Sequence, residues 1–303
     1  MTNIYCIIVT YNGMKWIEKC LSSLFQSTIP ITPIIVDNGS TDDTLEYIQS
    51  HFPKCIILPQ DHNLGFGQAN NVGIRYALTH DATHLLLLNQ DAWVDPDMIE
   101  KLLPYSDTNS LVSPIHMTGE GDRMDRNFHN NAYMRSKELT RMEQDIQTGH
   151  TDRYYTDEIN AACWFLPRTI LEEVGGFNPL FFHYAEDNDY LQRLHYHNKG
   201  IYIVPSTRVY HDRANTPKKQ PTVQSIYQYL ILRAVDIRYN RFQCLLHRWR
   251  YALGVLHTAL KEQRISDIKF YFQALVRYHK MHHTILANRA IIKTKGAHWL
   301  NYV

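Results

Sequence analysis

The 303-residue chain lacks the markers of several protein classes at once. No apolar run approaches the ~18 residues that span a bilayer. The most conspicuous is the four leucines Leu85, Leu86, Leu87 and Leu88. The start, Met1-Thr2-Asn3-Ile4-Tyr5, has neither the basic segment nor the long apolar stretch of a secretory signal. Five cysteines, Cys6, Cys20, Cys55, Cys163 and Cys244, are odd in number and scattered, with no C-x-x-C pair. That argues against a disulfide framework and a zinc ribbon. Reduced thiols and a cytoplasmic protein are therefore expected. Low-complexity segments and short repeats are missing too, which disfavours a solenoid. Net charge is nearly absent at +1, but the balance conceals a division. From Thr216 to Val303, 15 Lys and Arg face 3 Asp and Glu, a net +12, while the residues before hold 16 against 27, a net −11. Such asymmetry suggests a basic face that meets an anionic surface. Acidic phospholipid would suit it. Alternatively, the tail packs on the acidic part of its own chain or of a second copy, as in a homodimer. A nucleic-acid partner is not expected, because the acidic part would repel the phosphate backbone.

What is present is a core-forming composition, 44% hydrophobic, in a length that fits one large domain or a domain plus an appendage. Residues 3–9 are apolar and β-branched, as in a strand buried on both faces. Residues 31–36, 55–58, 83–88, 111–115, 159–166 and 201–210 repeat the pattern, the last closing the sheet. Helical periodicity occupies 14–26, a capped stretch through residue 50, 66–80, and 186–198, which Gly200 stops. Pro167 starts a short helix that ends at Gly175-Gly176. The alternation predicts an α/β fold, a mostly parallel sheet with helices on both faces. Residues 117–156 break the rhythm with polar residues and no clear buried run, an excursion expected to be functional or mobile. From about Thr222 the chain is helical throughout, and Gln220-Pro221 marks the boundary. The expected organisation is a domain over 1–215 and a basic helical extension over 216–303.

Polar clusters stand where strands end, and in open α/β sheets ligands bind outside those carboxyl ends. Val9-Thr10-Tyr11-Asn12 follows the first strand. Asp37-Asn38-Gly39-Ser40 follows the second, where a carboxylate can accept the N–H of a pyrimidine ring and Asn12 can join it; a tight turn with a helix cap explains the same residues. The stretch from His62 through Asn63, Gly65, Gly67 and Asn70 to Asn71 enters a helix, where backbone N–H groups favour an anion. It is not the dinucleotide fingerprint, since Asn70 holds the third glycine position and the loop follows the third strand. Asn89-Gln90-Asp91 delivers one carboxylate from a leucine-rich strand, suited to Mg²⁺ or Mn²⁺ shared with a substrate diphosphate. Asp95 and Asp97 read as solvated caps. Glu186-Asp187-Asn188-Asp189 opens a helix after the aromatic loop Phe181-Phe182-His183-Tyr184. Capping accounts for Asp189, but three acids exceed what a cap needs, and a carboxylate beside a sugar site can deprotonate an attacking hydroxyl. His211 ends the last strand as either a structural residue or a metal ligand. His279, His282 and His283 read as a solvated face.

Taken together, these stretches resemble a family 2 glycosyltransferase with the GT-A fold, nearest its bacterial rhamnosyltransferase-like members, over roughly the first two thirds of the chain. The resemblance implies donor binding by Thr10, Tyr11, Asn12, Asn63, Gly65, Asn70 and Asn89, with Asp37 on the nucleotide base. Asn89-Gln90-Asp91 matches the family's D-x-D metal motif with its first acid replaced by an amide, leaving Asp91 as the main carboxylate on Mn²⁺ or Mg²⁺. A histidine some two dozen residues after the E-D pair is a metal ligand in related transferases, and His211 fits. Glu186 and Asp187 match the E-D pair, with Asp187 as base. The implied reaction is an inverting, metal-dependent hexosyl transfer, of rhamnose in the nearest subgroup. The donor is a nucleotide-diphosphate sugar and the acceptor a saccharide or a lipid-linked molecule in cell-surface polysaccharide assembly, at the inner face of the membrane. The amide in the metal motif keeps another function open, that of a degenerate protein that binds a nucleotide-sugar without turnover. Segment 117–156 and Ala162-Cys163-Trp164 are expected to shape the acceptor side, Trp164 either stacking on a sugar or belonging to the core.

Overall fold

A computed structural model describes residues 2–150, 152–213 and 222–301. Its elements run β1 (Ile4–Thr10), α1 (Ile17–Phe25), β2 (Thr32–Asp37), α2 (Thr44–His51), β3 (Ile56–Pro59), α3 (Phe66–Thr79), β4 (His84–Asn89), β5 (Ala92–Val94), α4 (Met98–Leu102), β6 (Ser110–Thr118), α5 (Arg126–Phe128), α6 (Leu139–Thr148), β7 (Tyr154–Tyr155), β8 (Cys163–Pro167), α7 (Arg168–Val174), α8 (Glu186–Tyr196), β9 (Gly200–His211), α9 (Val223–Val235), α10 (Arg241–Lys261), α11 (Ile265–Lys280) and α12 (His282–Ile291). One sheet runs β3-β2-β1-β4-β8-β6-β9-β5, and β7 adds to β9. Strands β1 to β4 are mutually parallel, as are β6 and β9, while β8, β5 and β7 pair antiparallel.

Alternate residues of the buried strands feed two cores, as the two-residue period requires. Tyr5, Ile7 and Leu87 join α3 and α7 on one face. Cys6, Ile8 and Leu88 join α1 and α4 on the other. The register sets Thr10 beside Asp37 and Val9 beside Asn89, so the polar exits of β1, β2 and β4 emerge side by side. All five cysteines are free, and no described helix is long and apolar enough to cross a membrane.

Several expectations need correcting. The last sheet strand, β9, lies inside the sheet between β6 and β5 rather than at its edge. The short β5 and α4 escaped the sequence pattern because three and five residues are too few to show a period. Segment 117–156 is not irregular. Phe128, Ala132, Tyr133, Met142 and Tyr154 are buried in the main core, and Tyr154 pairs with Ile203. These anchors come singly or in pairs among polar residues of short helices and a two-residue strand, so no apolar run betrays them. Trp164 is core, enclosed by Phe177 and Tyr190.

Gln220-Pro221 and the 215/216 boundary lie outside the described residues. Beyond them α9, α11 and α12 build a third core that takes in Phe181. The chain end then returns to the sheet domain: Gly176 N–H donates to the His298 carbonyl, and Lys295 pairs with Glu173. A reciprocal amide pair joins Asn178 to Asn288, at 2.9 Å each way. The basic tail thus packs on its own chain.

Asp189 is no cap. It forms a buried ion pair with Arg193 at 2.9 Å and accepts from Asn178, while Arg193 also donates to the carbonyls of Val174 and Gly176. Removing one partner of such a pair strands the other charge in the core. Arg193→Leu is therefore expected to lower unfolding free energy by ~3–5 kcal/mol, read as a lower urea midpoint at unchanged slope; a loss under ~1 kcal/mol would assign the pair no such role.

Candidate active site

The exits of the three neighbouring strands are stitched together by polar side chains. The Asp37 carboxylate accepts from the Thr10 hydroxyl at 2.9 Å and from the hydroxyl and N–H of Ser40 at 2.6 and 3.0 Å. Asn12 accepts from Thr41 N–H through Oδ1, and its own N–H donates to Ser40. Its positive φ is one an asparagine tolerates. Gln90 binds Tyr11 reciprocally, accepting its N–H at 2.9 Å and donating to its carbonyl at 3.2 Å. Asn38 donates to Asn63 Oδ1 and accepts from Leu64 N–H, which sets the path into α3.

These strand ends open onto a cleft of about 420 Å³ whose lining includes Tyr11, Trp16, Asn38, Asn63, Gly65, Asn89, Gln90 and Asp91, faced by Phe182 and His183. Of the residues expected to bind a donor, Tyr11, Asn63, Gly65 and Asn89 line this space. Thr10 and Asn12 brace it from behind through Asp37, Ser40 and Thr41. Asp37 itself is buried with one oxygen doubly engaged, so only Oδ2 keeps room for a base N–H. Asn70 is not brought to the cleft. It is buried in α3 and donates to the Phe66 carbonyl one turn back, while Asn71 clamps the backbone of Phe177. Gly65 has a purpose other than cradling an anion. It adopts φ +79°, and a Cβ there would overlap the carbonyl of Phe182, so glycine lets the α3 entry touch the opposite wall.

Asn89 and Asp91 line the cleft, and beside them the buried His211 sets Nε2 3.2 Å from Asp91 Oδ1 and 3.5 Å from the Asn89 amide nitrogen, while Asn89 Oδ1 is buried without a partner. One imidazole nitrogen cannot donate to the carboxylate and accept from the amide at once. A half-turn of the Asn89 amide would place oxygen, nitrogen and oxygen donors around one point. That donor set suits Mn²⁺, which tolerates a nitrogen among oxygens. Among the described residues no three His, Cys, Asp or Glu gather to hold a metal by themselves, so substrate oxygens would have to complete the shell.

The opposite wall leads into α8 through two residues in the left-handed region, Tyr184 at φ 69° and Ala185 at φ 71°. Neither is glycine, and such residues cost roughly 1–3 kcal/mol each unless their surroundings over-determine them. Here Phe181, Leu180 and Ala185 pack into the tail core, and Gln228 donates to the His183 carbonyl. The bend starts α8 at Glu186 and Asp187. Burial raises the Asp187 carboxyl above its ordinary range, opposed by hydrogen bonds from Asn188 and by the charge of Arg213. Glu186 is more deeply buried, with Oε2 unpartnered. Burial, and next the neighbouring Asp187, hold its pKa up to about 8.

Several members of this arrangement went unread in the sequence. Trp16, at the start of α1, donates to Asp212, whose N–H in turn donates to the Asp91 carbonyl. Arg213 acts on Asp187 and on His116. His116 is buried against Phe128 and kept neutral, its pKa pulled down to about 3 by burial and then by His211 and Arg213. Only a lone Arg two residues past His211 could have signalled Arg213.

The model of the family described as Glycosyl transferase family 2 matches residues 5–175. An N-acetylglucosaminyl-diphospho-decaprenol L-rhamnosyltransferase of Mycobacterium tuberculosis is 26% identical, covering 73% of this chain and 80% of its own length. The dTDP-rhamnosyl transferase RfbF of Shigella flexneri is 25% identical over 86% and 88%. S. aureus TarS 1-349 in complex with UDP-GlcNAc aligns with a TM-score of 0.57 at 15% identity, covering 96% of this chain and 89% of that one. A mannosyltransferase from Pyrobaculum calidifontis with GDP-Man and Mn²⁺ aligns at 0.54 with 18% identity, covering 96% and 73%. The structural likenesses are of fold, and the fold is the expected GT-A type.

The Glu186 carboxyl also makes folding pH-dependent. The folded chain keeps a proton there up to about pH 8, whereas the unfolded chain releases it near 4.5. Its contribution to stability is complete below the lower value and is lost as pH rises through the upper one. In Glu186→Gln that decline between pH 4.5 and about 8 should disappear from a chemical-denaturation series. Parallel slopes in wild type and variant would mean that the carboxyl is already ionised in the folded protein.

Proposed function

The chain belongs to glycosyl transferase family 2, and from that premise we propose that it transfers a sugar with inversion from a nucleotide-diphosphate donor to a saccharide or lipid-linked acceptor. Glycosyl transfer in polysaccharide assembly is the activity of this family line; rhamnose as the sugar rests on the two rhamnosyltransferase relatives. The observation that carries the proposal is the pairing of the two cleft walls. One carries Asp91 and Asn89, each within reach of His211 Nε2. The other, Phe182 and His183, runs on into a strained helix entry where the half-buried Asp187 stands four residues past His183.

Asp91, His211 Nε2 and the Asn89 amide oxygen are the groups that would hold Mn²⁺ or Mg²⁺. When bound, such an ion supplies Lewis-acid neutralisation of the charge growing on the departing diphosphate. The chain's own part is division of labour between adjacent carboxyls. Burial raises the Asp187 carboxyl above its ordinary range and so makes it a stronger base, while Asn188 and Arg213 favour its ionised form, and it can take the proton of the acceptor hydroxyl. For Glu186 only its own backbone N–H favours ionisation, and burial with Asp187 beside it pushes the carboxyl up to about 8, so at pH 7 the neutral form is favoured and it does not compete as base. Tyr11, Asn63 and Gly65 shape the donor side, with Asp37 Oδ2 offered to the base and Thr10 and Asn12 holding that carboxylate and its loop in place. The aromatic wall at Phe182 and His183 faces the acceptor. A lipid-linked acceptor would place the protein peripherally at the inner face of a membrane.

The test begins with donor binding. A thermal-shift panel of nucleotide-sugars, dTDP-rhamnose first, should show stabilisation that deepens with Mn²⁺; a donor at 100 times its Kd adds ~2.7 kcal/mol. Asp187→Asn is expected to keep that shift while turnover falls ~10²–10⁴-fold, and near-wild-type turnover in the variant would remove Asp187 as the base. Donor binding by the wild-type chain with no transfer under any metal would instead identify a nucleotide-sugar-binding protein.

A further inference from the structure

The tail carries a surface that its own folding does not use. Helix α10 has 21 residues, about 30 Å at 1.5 Å per residue. Its inner face is anchored by Cys244 and Ala259. Outward it presents Phe242, Leu246, Trp249, Leu253, Leu256 and Leu260, all exposed, Trp249 to 62% and Leu260 to 65%. Their spacings alternate between four and three residues, which keeps them on one side of the helix for its whole length. Helix α11 extends the surface with exposed Ile265, Phe272 and Val276. Between the two helices Trp249, Leu256, Phe272 and Leu275 wall a groove of about 430 Å³. A continuous exposed apolar strip of this kind marks a docking face.

Charge selects what docks there. Arg250 and Lys261 flank the stripe on α10, and Lys269 and Arg277 stand exposed on α11. A second copy of the tail would bring two segments of net +12 together. Its three acids cannot offset that. Asp236 is buried and paired with Arg238, Asp267 is buried and paired with Arg264, and Glu262 also meets Arg264. Nothing acidic on the tail is left for a second tail. An anionic bilayer meets both requirements: Trp, Phe and Leu enter the headgroup boundary while Lys and Arg contact lipid phosphates.

We propose that the exposed stripe of α10, with the adjoining edge of α11, seats this protein on an anionic lipid surface. This deepens the transferase function and rests on it for its purpose, since Gln228 of α9 and the tail core hold the Phe181–Ala185 wall that faces the acceptor. Seating the tail on lipid would hold that wall beside the membrane, where lipid-linked acceptors reside.

The full chain is to be floated with vesicles of phosphatidylcholine, with and without phosphatidylglycerol. Binding only to the anionic vesicles, weakened by salt, is expected. The double substitution Trp249→Glu and Leu253→Glu should weaken it about a hundredfold while leaving the melting curve and transfer to a water-soluble acceptor unchanged. Wild-type chain that floats equally poorly with both vesicle types would overturn the proposal and leave the transferase function standing. A wild-type dimer in light scattering that the double variant converts to monomer, without lipid binding, would overturn it in favour of a second copy. Vesicle binding by a chain that transfers no sugar would sustain the surface and remove the function.

Discussion

The backbone of Gly65 and the carbonyl of Phe182 approach each other more closely than any side chain at position 65 would permit. That contact joins two regions of opposite origin. Gly65 belongs to the entry of α3, fixed through Asn63 and Asn38 to the exit of β2. Phe182 belongs to the turn before α8, fixed by Phe181 and Ala185 in the core of the tail. The cleft exists because these two regions touch at one edge and part at the other. Its polar floor, where β4 ends, lies between them. The strained pair Tyr184 and Ala185 persists because both sides of the turn are held.

The sheet was legible in the sequence because strands buried on both faces write their burial as unbroken apolar runs. Ile7, Ile35 and Leu86 belong to such runs, and each proved to be core. The polar exits were legible for the same reason, since a carboxylate or amide directly after such a run has few places to be but the strand's end. What stayed hidden depends on contacts between segments far apart in sequence. Asn70 and Asn71 looked alike on paper, yet each spends its amide on backbone, one on its own helix and the other on Phe177. Asp189 looked like one acid of three at a helix start, but its partner Arg193 one turn later makes it part of the core. The segment 117–156 hides its burial in single anchors such as Phe128 and Met142, which no window of periodicity collects.

The acids near the cleft therefore fall into groups that composition alone cannot separate. Asp37 is occupied by hydroxyls and an N–H and serves geometry first. Asp189 is neutralised by a guanidinium. Glu186 is pushed toward its neutral form by burial and by Asp187. Asp212 is taken up by Lys15 and Trp16, whereas Asp91 stands against an imidazole and Asp187 faces Arg213. Burial and pairing, rather than the count of carboxylates, decide which can take part in chemistry.

The family-matched segment ends at residue 175. The Asn178–Asn288 amide pair lies just beyond that limit and couples the α8 approach to the last helix of the chain. Most of the cleft is thus lined from within the family-matched segment, while its Phe182–His183 edge is held by side chains that lie beyond it. A change at Asn288 would therefore reach that edge from a helix that lines no part of the cleft.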